Sequence, residues 1–280
     1  MTDTAPRTTV ITVSYNSMAV LPAMLASVPQ DVPVVMVDNS ASDDDSALQD
    51  LAQGRGATVL RNADNHGFGV ACNQGANLAE TEFLLFLNPD AQLQPGAIAE
   101  MEAAMDRYPQ ASAMNPRITE ADGDPYFKRR SVLLPRKDHM PRGWPEADTE
   151  VTVLSGAALF VRRSAFQAVG GFDPQIFLYH EDDDLSLRLR AECGPLMFIR
   201  AASVRHIGGS SSVRSAQGAA FKAFHMGQSR VYAMRKHGWH LARVRAGLGA
   251  LGQVILPQNW ISRRKIAKQW AFLRGVLSAP

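Results

Sequence analysis

A chain of 280 residues, 46% hydrophobic and 20% charged, has the composition of a folded protein with a sizeable core and excludes a disordered or low-complexity one. Its two cysteines, Cys72 and Cys193, exclude a disulfide framework and a cysteine-ligated metal cluster, which fits a reducing compartment. The net charge of +2 conceals an asymmetry: fourteen of the 29 Lys and Arg lie from Cys193 onward, where there is no Asp or Glu, so residues 1–192 set fifteen bases against 27 acids.

The opening MTDTAPRTTV lacks an apolar segment of signal-peptide kind, and no run of about 18 apolar residues suits a membrane span. A cytoplasmic location is therefore expected. TTVITVSYN is a β-rich run ending in turn residues. SMAVLPAMLASV puts Leu21, Met24, Leu25 and Val28 at helical spacing. PVVMVDNSASDDD is a second apolar strand running straight into Asp, Asn and Ser. DSALQDLAQG reads as a helix stopped by Gly54, and ATVLRNADNHG as a third strand and loop. GVACNQGANLAE reads as a helix and EFLLFLNPDA as a fourth strand. PGAIAEMEAAMDRYP is a helix with Pro95 near its first turn and Pro109 beyond its end. Residues 118–150, rich in Pro, Gly and charge, read as a long loop of the kind that serves as a functional lid. VTVLSGAALFVRRSAF resumes strand-like structure, and from Phe221 the chain is helical and basic.

Continuous apolar strands alternating with helices predict a parallel α/β sheet covered on both faces. Ligands bind such sheets at the carboxyl ends of the strands. The residues there are Ser14, Tyr15 and Asn16; Asp38, Asn39 and Ser40; Asn65 to Gly69; and Asn88, Pro89 and Asp90. Singly these are ordinary turn residues; their repetition along one edge points to a ligand. Asp38 can accept from a base or ribose hydroxyl, or cap the following helix. Gly67, Gly69 and Gly75 permit close backbone approach, and Asn65 and Asn73 can bond hydroxyls or phosphates, with a glycine-rich turn as the plainer reading. Asp90 suits Mg²⁺ or Mn²⁺ bridging a diphosphate, Asn88 being a weaker ligand, and Asp90 could equally cap a helix. No P-loop occurs, and no G-x-G-x-x-G follows the first strand.

In the order SYN, VDNSASD, NHGFGVACNQG, LNPD, SGAALFVRR, GGFDPQIFLYHEDDDLSLRLR and HIGGSS, the chain resembles family 2 glycosyltransferases of GT-A fold. It is most similar to their bacterial rhamnosyltransferase-type members, from Thr9 to Met234. The resemblance implies an α/β fold of GT-A type: a Rossmann-like, mostly parallel sheet flanked by helices. Residues 1–220 would form the catalytic domain, nucleotide-binding over about 8–117 and acceptor-binding and catalytic over about 118–220, with 221–280 a basic helical C-terminal extension. It also implies inverting transfer of a sugar, rhamnose being the candidate, from a nucleoside diphosphate donor to a hydroxyl of a glycan or lipid-linked acceptor in cell-surface polysaccharide synthesis. Asp38 matches the contact to base or ribose. Asp90 matches the metal-binding acid, with Asn88 where many members have Asp. Asp182 matches the catalytic base, with Glu181 its rival. His206 matches a histidine that binds metal or diphosphate in some relatives, and Ser210 would touch phosphate. Ser14, Tyr15, Asn16, Asn39, Asn65, Gly67, Asn73 and Asn88 complete the candidate donor site, and Arg188 either joins them at the diphosphate or pairs with Asp184.

The chemistry is consistent with these residue types. Inverting transfer is one in-line displacement that needs a base on the acceptor hydroxyl and stabilisation of the leaving diphosphate. It needs no enzyme nucleophile, and no G-x-S-x-G or Cys/His signature is present. A carboxylate base among other acids should have its pKa raised by like-charge repulsion. Asp184 would cap LSLRLR, and Asp183 would be solvated. A nucleotidyltransferase would need a glycine-rich, Lys/Arg-bearing loop after the first strand, which SYNSMAVLP does not supply. A non-catalytic carbohydrate- or nucleic-acid-binding protein is the third alternative, although the acid run argues against nucleic acid near the site. The basic, Trp-bearing tail suits an anionic partner such as a membrane surface, with a domain-closing helical hairpin or a dimer interface as the plainer reading.

Overall fold

In the computed structural model, which describes residues 5–40, 46–207, 215–256 and 262–279, the four apolar runs become strands β1 (Thr8–Ser14), β2 (Val34–Asp38), β3 (Thr58–Arg61) and β4 (Phe83–Leu87). Helices α1 (Leu21–Ser27), α2 (Ser46–Arg55) and α3 (Phe68–Ala76) connect them. Helix α2 passes through Gly54 and ends one residue later, with Gly56 at φ +66°. The four strands pair in parallel in the order β3-β2-β1-β4, a register that aligns Ser14 with Asp38 and Asp38 with Arg61.

Beyond β4 the sheet becomes mixed. After β5 (Ala91–Leu93) and α4 (Ala97–Arg107) come β6 (Ala113–Thr119), β7 (Pro125–Tyr126), β8 (Thr149–Val151) and β9 (Ala158–Arg162). Helices α5 (Arg163–Ala168) and α6 (Glu181–Glu192) then precede β10 (Leu196–His206). Strand β9 lies antiparallel between β4 and β6, β10 runs parallel to β6, and β5 closes the far edge antiparallel to β10. Among the described residues, parallel pairing is thus confined to β1–β4 and the β6/β10 pair. The antiparallel β9, inserted between β4 and β6, separates these two parallel groups.

Strand β4 explains why its run is continuously apolar. Phe83, Leu85 and Leu87 enter the core on one face of the sheet, while Leu84 and Phe86 enter the core on the other. Phe83 stacks near Phe160, and Phe86 near Phe166 and Phe172. Each such buried side chain contributes roughly 1.5–3 kcal/mol.

The last three helices, α7 (Ala216–Lys236), α8 (Ala242–Ile255) and α9 (Arg263–Ser278), form the basic extension, and α7 begins inside the segment read as catalytic domain. Helices α7 and α9 approach backbone to backbone: a Cβ on Gly227 would collide with the Phe272 carbonyl, and one on Gly275 with the Phe224 carbonyl. Helix α7 is tied to the turn after α5 by Lys236 Nζ to Asp173 Oδ2 at 2.6 Å and by the Tyr232 hydroxyl donating to the same oxygen at 3.0 Å. Trp239 Nε1 donates to the Leu133 carbonyl at 3.0 Å. Among the described residues no helix is long and apolar enough to cross a membrane.

Candidate active site

The carboxyl ends of β1, β2 and β4 open on a cleft of about 200 Å³. Of the residues expected there, Tyr15, Asn39, Asn65, Gly67, Asn88 and Asp90 line it. Phe177 and Leu178, from the turn before α6, and Phe221 of α7 form the opposite wall, and no strand-end rule pointed to them. Gly67, at φ +83°, is required where it stands: any side chain would strike the Phe177 carbonyl.

Several expected donor contacts turn out to shape the loops. Ser14 is buried, and its carbonyl accepts from Asn39 N–H at 2.8 Å. Asp38 is buried too: its Oδ1 accepts from Ser40 N–H at 3.0 Å, while the Ser40 hydroxyl accepts from Asn16 N–H at 2.9 Å. Asn16 sits at φ +54°, so this chain of bonds fixes the turn after β1. Asn39 Nδ2 donates to Asn65 Oδ1 at 2.8 Å and to the Gly67 carbonyl at 3.2 Å. Its Oδ1 accepts from Asn62 Nδ2 at 3.0 Å and His66 N–H at 3.1 Å. Asn39 and Asn65 are therefore a clasp under the loop before α3, leaving the cleft mainly their edges.

Asn73 departs from its expected place. Its amide donates to and accepts from the backbone of Phe172, both at 2.8 Å, strapping α3 to the turn after α5 and away from the cleft. Arg188 departs as well. Nε and Nη2 grip Asp184 Oδ2 at 2.9 and 2.7 Å, and Nη1 and Nη2 donate to the Val169 and Gly171 carbonyls, each at 2.7 Å. Four of the guanidinium's five N–H donors are thus engaged within the protein, which is the Asp184 pairing rather than a diphosphate contact. Ser210 lies outside the described residues.

Asp90 and His206 do meet. His206, the last residue of β10, pairs across the sheet with Ala91, which brings its Nε2 to 3.3 Å from Asp90 Oδ1. Both side chains are largely buried. One carboxylate oxygen and one imidazole nitrogen on a common spot are a suitable donor pair for Mg²⁺ or Mn²⁺, which take their remaining ligands from phosphate oxygens and water. Among the described residues no third acid, His or Cys joins them. His206 Nδ1 is buried with no hydrogen-bond partner among the described residues.

The acid run divides into four distinct environments. The chain reaches it through Tyr179 and His180, both left-handed at φ +67° and +69°, a conformation costing non-glycine residues about 1 kcal/mol or more each. Helix α6 starts at Glu181, so all four acids lie in its first turn, where the helix dipole favours them. Asp182 Oδ2 accepts from Gly156 N–H at 2.9 Å and contacts Lys128 Nζ at 2.5 Å, and its Oδ1 accepts from Asp183 N–H at 2.9 Å. The residue after Gly156, Ala157, accepts from Asn88 N–H at 3.0 Å, which links Asp182 to the N-P-D turn of the cleft. Asp183 is not solvated: Lys128 Nζ and His180 Nδ1 each lie 2.9 Å from its oxygens. Burial alone would raise its pKa, but those two partners outweigh it and hold the carboxyl well below the usual range. Burial likewise opposes the Lys128 charge, yet Asp182 and Asp183 keep it firmly protonated.

Asp184 is not a cap. It is fully buried and gathers Arg188, Lys236 Nζ at 2.8 Å and His237 Nε2 at 2.9 Å, joining α6 to α7. Despite burial, His237, Lys236 and Arg188 bring its pKa down to about 2. The expected upward shift falls on Glu181. Burial first, then the Asp182 charge, push its pKa up to about 8, and its Oε2 is buried without a partner. At neutral pH Glu181 is therefore largely protonated, while the Asp182 carboxylate is held in place by Lys128 and two backbone N–H groups. Lys128, which contacts Asp182 and Asp183, is the side chain at this cluster that sequence reasoning missed; no spacing connects residue 128 to residue 182.

Residues 9–170 match the family profile described as Glycosyl transferase family 2. The chain is 31% identical, over 88% of its length and 89% of the relative's, to the N-acetylglucosaminyl-diphospho-decaprenol L-rhamnosyltransferase of Mycobacterium tuberculosis. S. aureus TarS 1-349 in complex with UDP-GlcNAc superposes with a TM-score of 0.58 at 16% identity, over 96% of this chain and 81% of that one. The mannosyltransferase PcManGT from Pyrobaculum calidifontis, in complex with GDP-Man and Mn²⁺, superposes with a TM-score of 0.58 at 16% identity, over 99% and 77%. The mixed sheet flanked by helices is thus the GT-A fold, and a nucleotidyltransferase or a non-catalytic binding protein is not favoured. By sequence and fold together, the chain belongs to glycosyl transferase family 2 and is a glycosyltransferase.

Proposed function

We propose that this enzyme transfers L-rhamnose, from deoxythymidine diphosphate-rhamnose, to a hydroxyl of an N-acetylglucosamine carried on a polyprenyl diphosphate, with inversion at the anomeric carbon. The observation that carries this reading is the 31% identity over nearly the whole of both chains to a rhamnosyltransferase acting on such an acceptor. Asp182 takes the proton of the acceptor hydroxyl as its oxygen bonds to the anomeric carbon. The carbon–oxygen bond to the diphosphate breaks, and the nucleoside diphosphate leaves with the electron pair. Lys128 Nζ contacts both Asp182 and Asp183, which orients the Asp182 carboxylate and offsets the charge of its neighbour. Tyr15, Gly67 and Asn88 position the donor in the cleft. Asp90 and His206 would hold a divalent ion, which when bound supplies charge stabilisation to the departing diphosphate. The exposed apolar residues of α8, with the surrounding arginines, support contact with the membrane surface where such an acceptor resides.

Incubating the enzyme with the rhamnose donor, Mn²⁺ or Mg²⁺ and a short-chain N-acetylglucosaminyl-diphospho-polyprenol tests the reading. Release of nucleoside diphosphate that depends on the acceptor supports it. Release with a UDP- or GDP-sugar and none with the rhamnose donor would overturn the donor assignment.

A further inference from the structure

A second cavity, of about 710 Å³, lies on the other side of the turn that ends in the acid run. Phe177 and Leu178 face the donor cleft, whereas His180 and Asp183 face this cavity. Its walls carry Arg130 and Arg136 from the loop before β8, Arg230 from α7 and Arg245 from α8. Asp183 is its one acid, and Lys128 and His180 already occupy that carboxylate. None of the four arginines has a carboxylate within 4 Å among the described residues. Arg230 is partly buried over the Phe272 ring at 5.7 Å, and burial lowers its pKa with only distant Asp183 opposing. Arg245 is stacked over Trp239 at 5.2 Å. His139, also on the wall, has a buried Nε2 with no hydrogen-bond partner among the described residues.

Four guanidiniums converging without an anion repel one another, and their fork geometry matches phosphate oxygens. The cavity also adjoins an apolar surface. On α8, next to Arg245 and Gly249, Val244, Leu248 and Leu251 fall at i, i+4 and i+7 and are 52%, 67% and 47% exposed. A basic cavity beside an exposed apolar stripe fits an amphiphile with a phosphate head and a hydrocarbon chain.

We propose that the cavity formed by Arg130, Arg136, Arg230 and Arg245 binds the diphosphate of the lipid-linked acceptor, with its polyprenyl chain leaving over the α8 stripe. This rests on the acceptor class named above. The sugar attached to that diphosphate would then project past Asp183 towards Asp182, since Lys128 contacts both carboxylates. The donor and the acceptor would thus approach the base from opposite sides of residues 177–183.

The test is steady-state kinetics of the R130A/R136A chain and of R245A, all at exposed positions, against the unsubstituted enzyme. Two acceptors are compared in detergent: a short-chain N-acetylglucosaminyl-diphospho-polyprenol and octyl N-acetylglucosaminide, which has no diphosphate. The proposal expects KM for the diphosphate acceptor to rise at least tenfold, while donor affinity and KM for the octyl glycoside change less than twofold. A KM for the diphosphate acceptor within twofold of the unsubstituted value overturns it. A parallel arm measures flotation with phosphatidylglycerol vesicles. Lost flotation with unchanged KM assigns the arginines to membrane headgroups and overturns the proposal too. If the unsubstituted enzyme transfers to neither acceptor, the functional reading itself fails, an outcome distinct from both.

Discussion

Replacing Glu181 with Gln should make this protein more stable at alkaline pH and leave it nearly unchanged in acid. Glu181 is buried, one of its oxygens has no partner, and its pKa stands at about 8 against an ordinary 4.5. Because the folded value lies above the unfolded one, protonation favours the folded state. The stabilisation is complete below about pH 4.5 and is lost as pH rises through about 8. Each unit of difference is worth about 1.4 kcal/mol, so the wild type loses roughly 4 kcal/mol between pH 5 and pH 9 through this group alone. Gln cannot ionise and escapes that loss. Its own desolvation is the same at both pH values and cancels in the comparison. Urea unfolding of both chains at pH 5, 7 and 9 in the presence of a chelator measures the effect. Curves for the two proteins that shift together with pH, within about 1 kcal/mol, would mean that Glu181 is ionised in the fold. It would then displace Asp182 as the better-founded base.

Other perturbations have equally definite outcomes. Asp184→Asn leaves Arg188, Lys236 and His237 facing a neutral amide in a fully buried place, and should cost about 3–5 kcal/mol in chemical unfolding; a loss under 1 kcal/mol would refute the anchoring role. Gly227→Ala forces a methyl group onto the Phe272 carbonyl and should cost about 1–3 kcal/mol, read as a lower Tm in calorimetry. His206→Ala should raise the Mn²⁺ concentration for half-maximal activity at least tenfold, and an unchanged metal titration would remove His206 from the ion. Leu248→Asp with Leu251→Asp should abolish flotation with anionic vesicles at unchanged Tm, and retained flotation would detach α8 from the membrane.

Strands β1, β2 and β4 were legible because each is buried on both faces, so its apolar run is unbroken and ends at a polar turn; β3, at the edge of the sheet, is exposed or half-buried along its length. Strand β6 escaped notice because it carries Asn115 and Pro116 in mid-strand. Asn115 compensates by donating to the Ser155 and Ala158 carbonyls at 3.0 and 2.7 Å, and β10 breaks register between Ile199 and Ser203 as it passes Pro116. Strand-end polarity located the cleft through Tyr15, Asn65, Gly67 and Asp90. It could not separate residues that face a ligand from those that hold a loop, because Asn39, Asn73 and Asp38 have the same side-chain chemistry in either role. Within the acid run, order along the helix says which acids share a turn but not what each one meets. Lys128, Gly156, Lys236 and His237 arrive from elsewhere in the chain, and together with the adjacent His180, with Arg188 and with burial they make Glu181, Asp182, Asp183 and Asp184 differ.

The central claim is that Asp182 is the base acting on an acceptor hydroxyl beside a bound nucleotide sugar. Asp182→Asn, compared with wild type in single-turnover transfer and in donor titration, tests it most directly. The account predicts donor affinity within about twofold of wild type, a transfer rate reduced about 10²–10⁴-fold, and retained transfer in Glu181→Gln. Transfer by Asp182→Asn within threefold of wild type, or its collapse in Glu181→Gln instead, would contradict it.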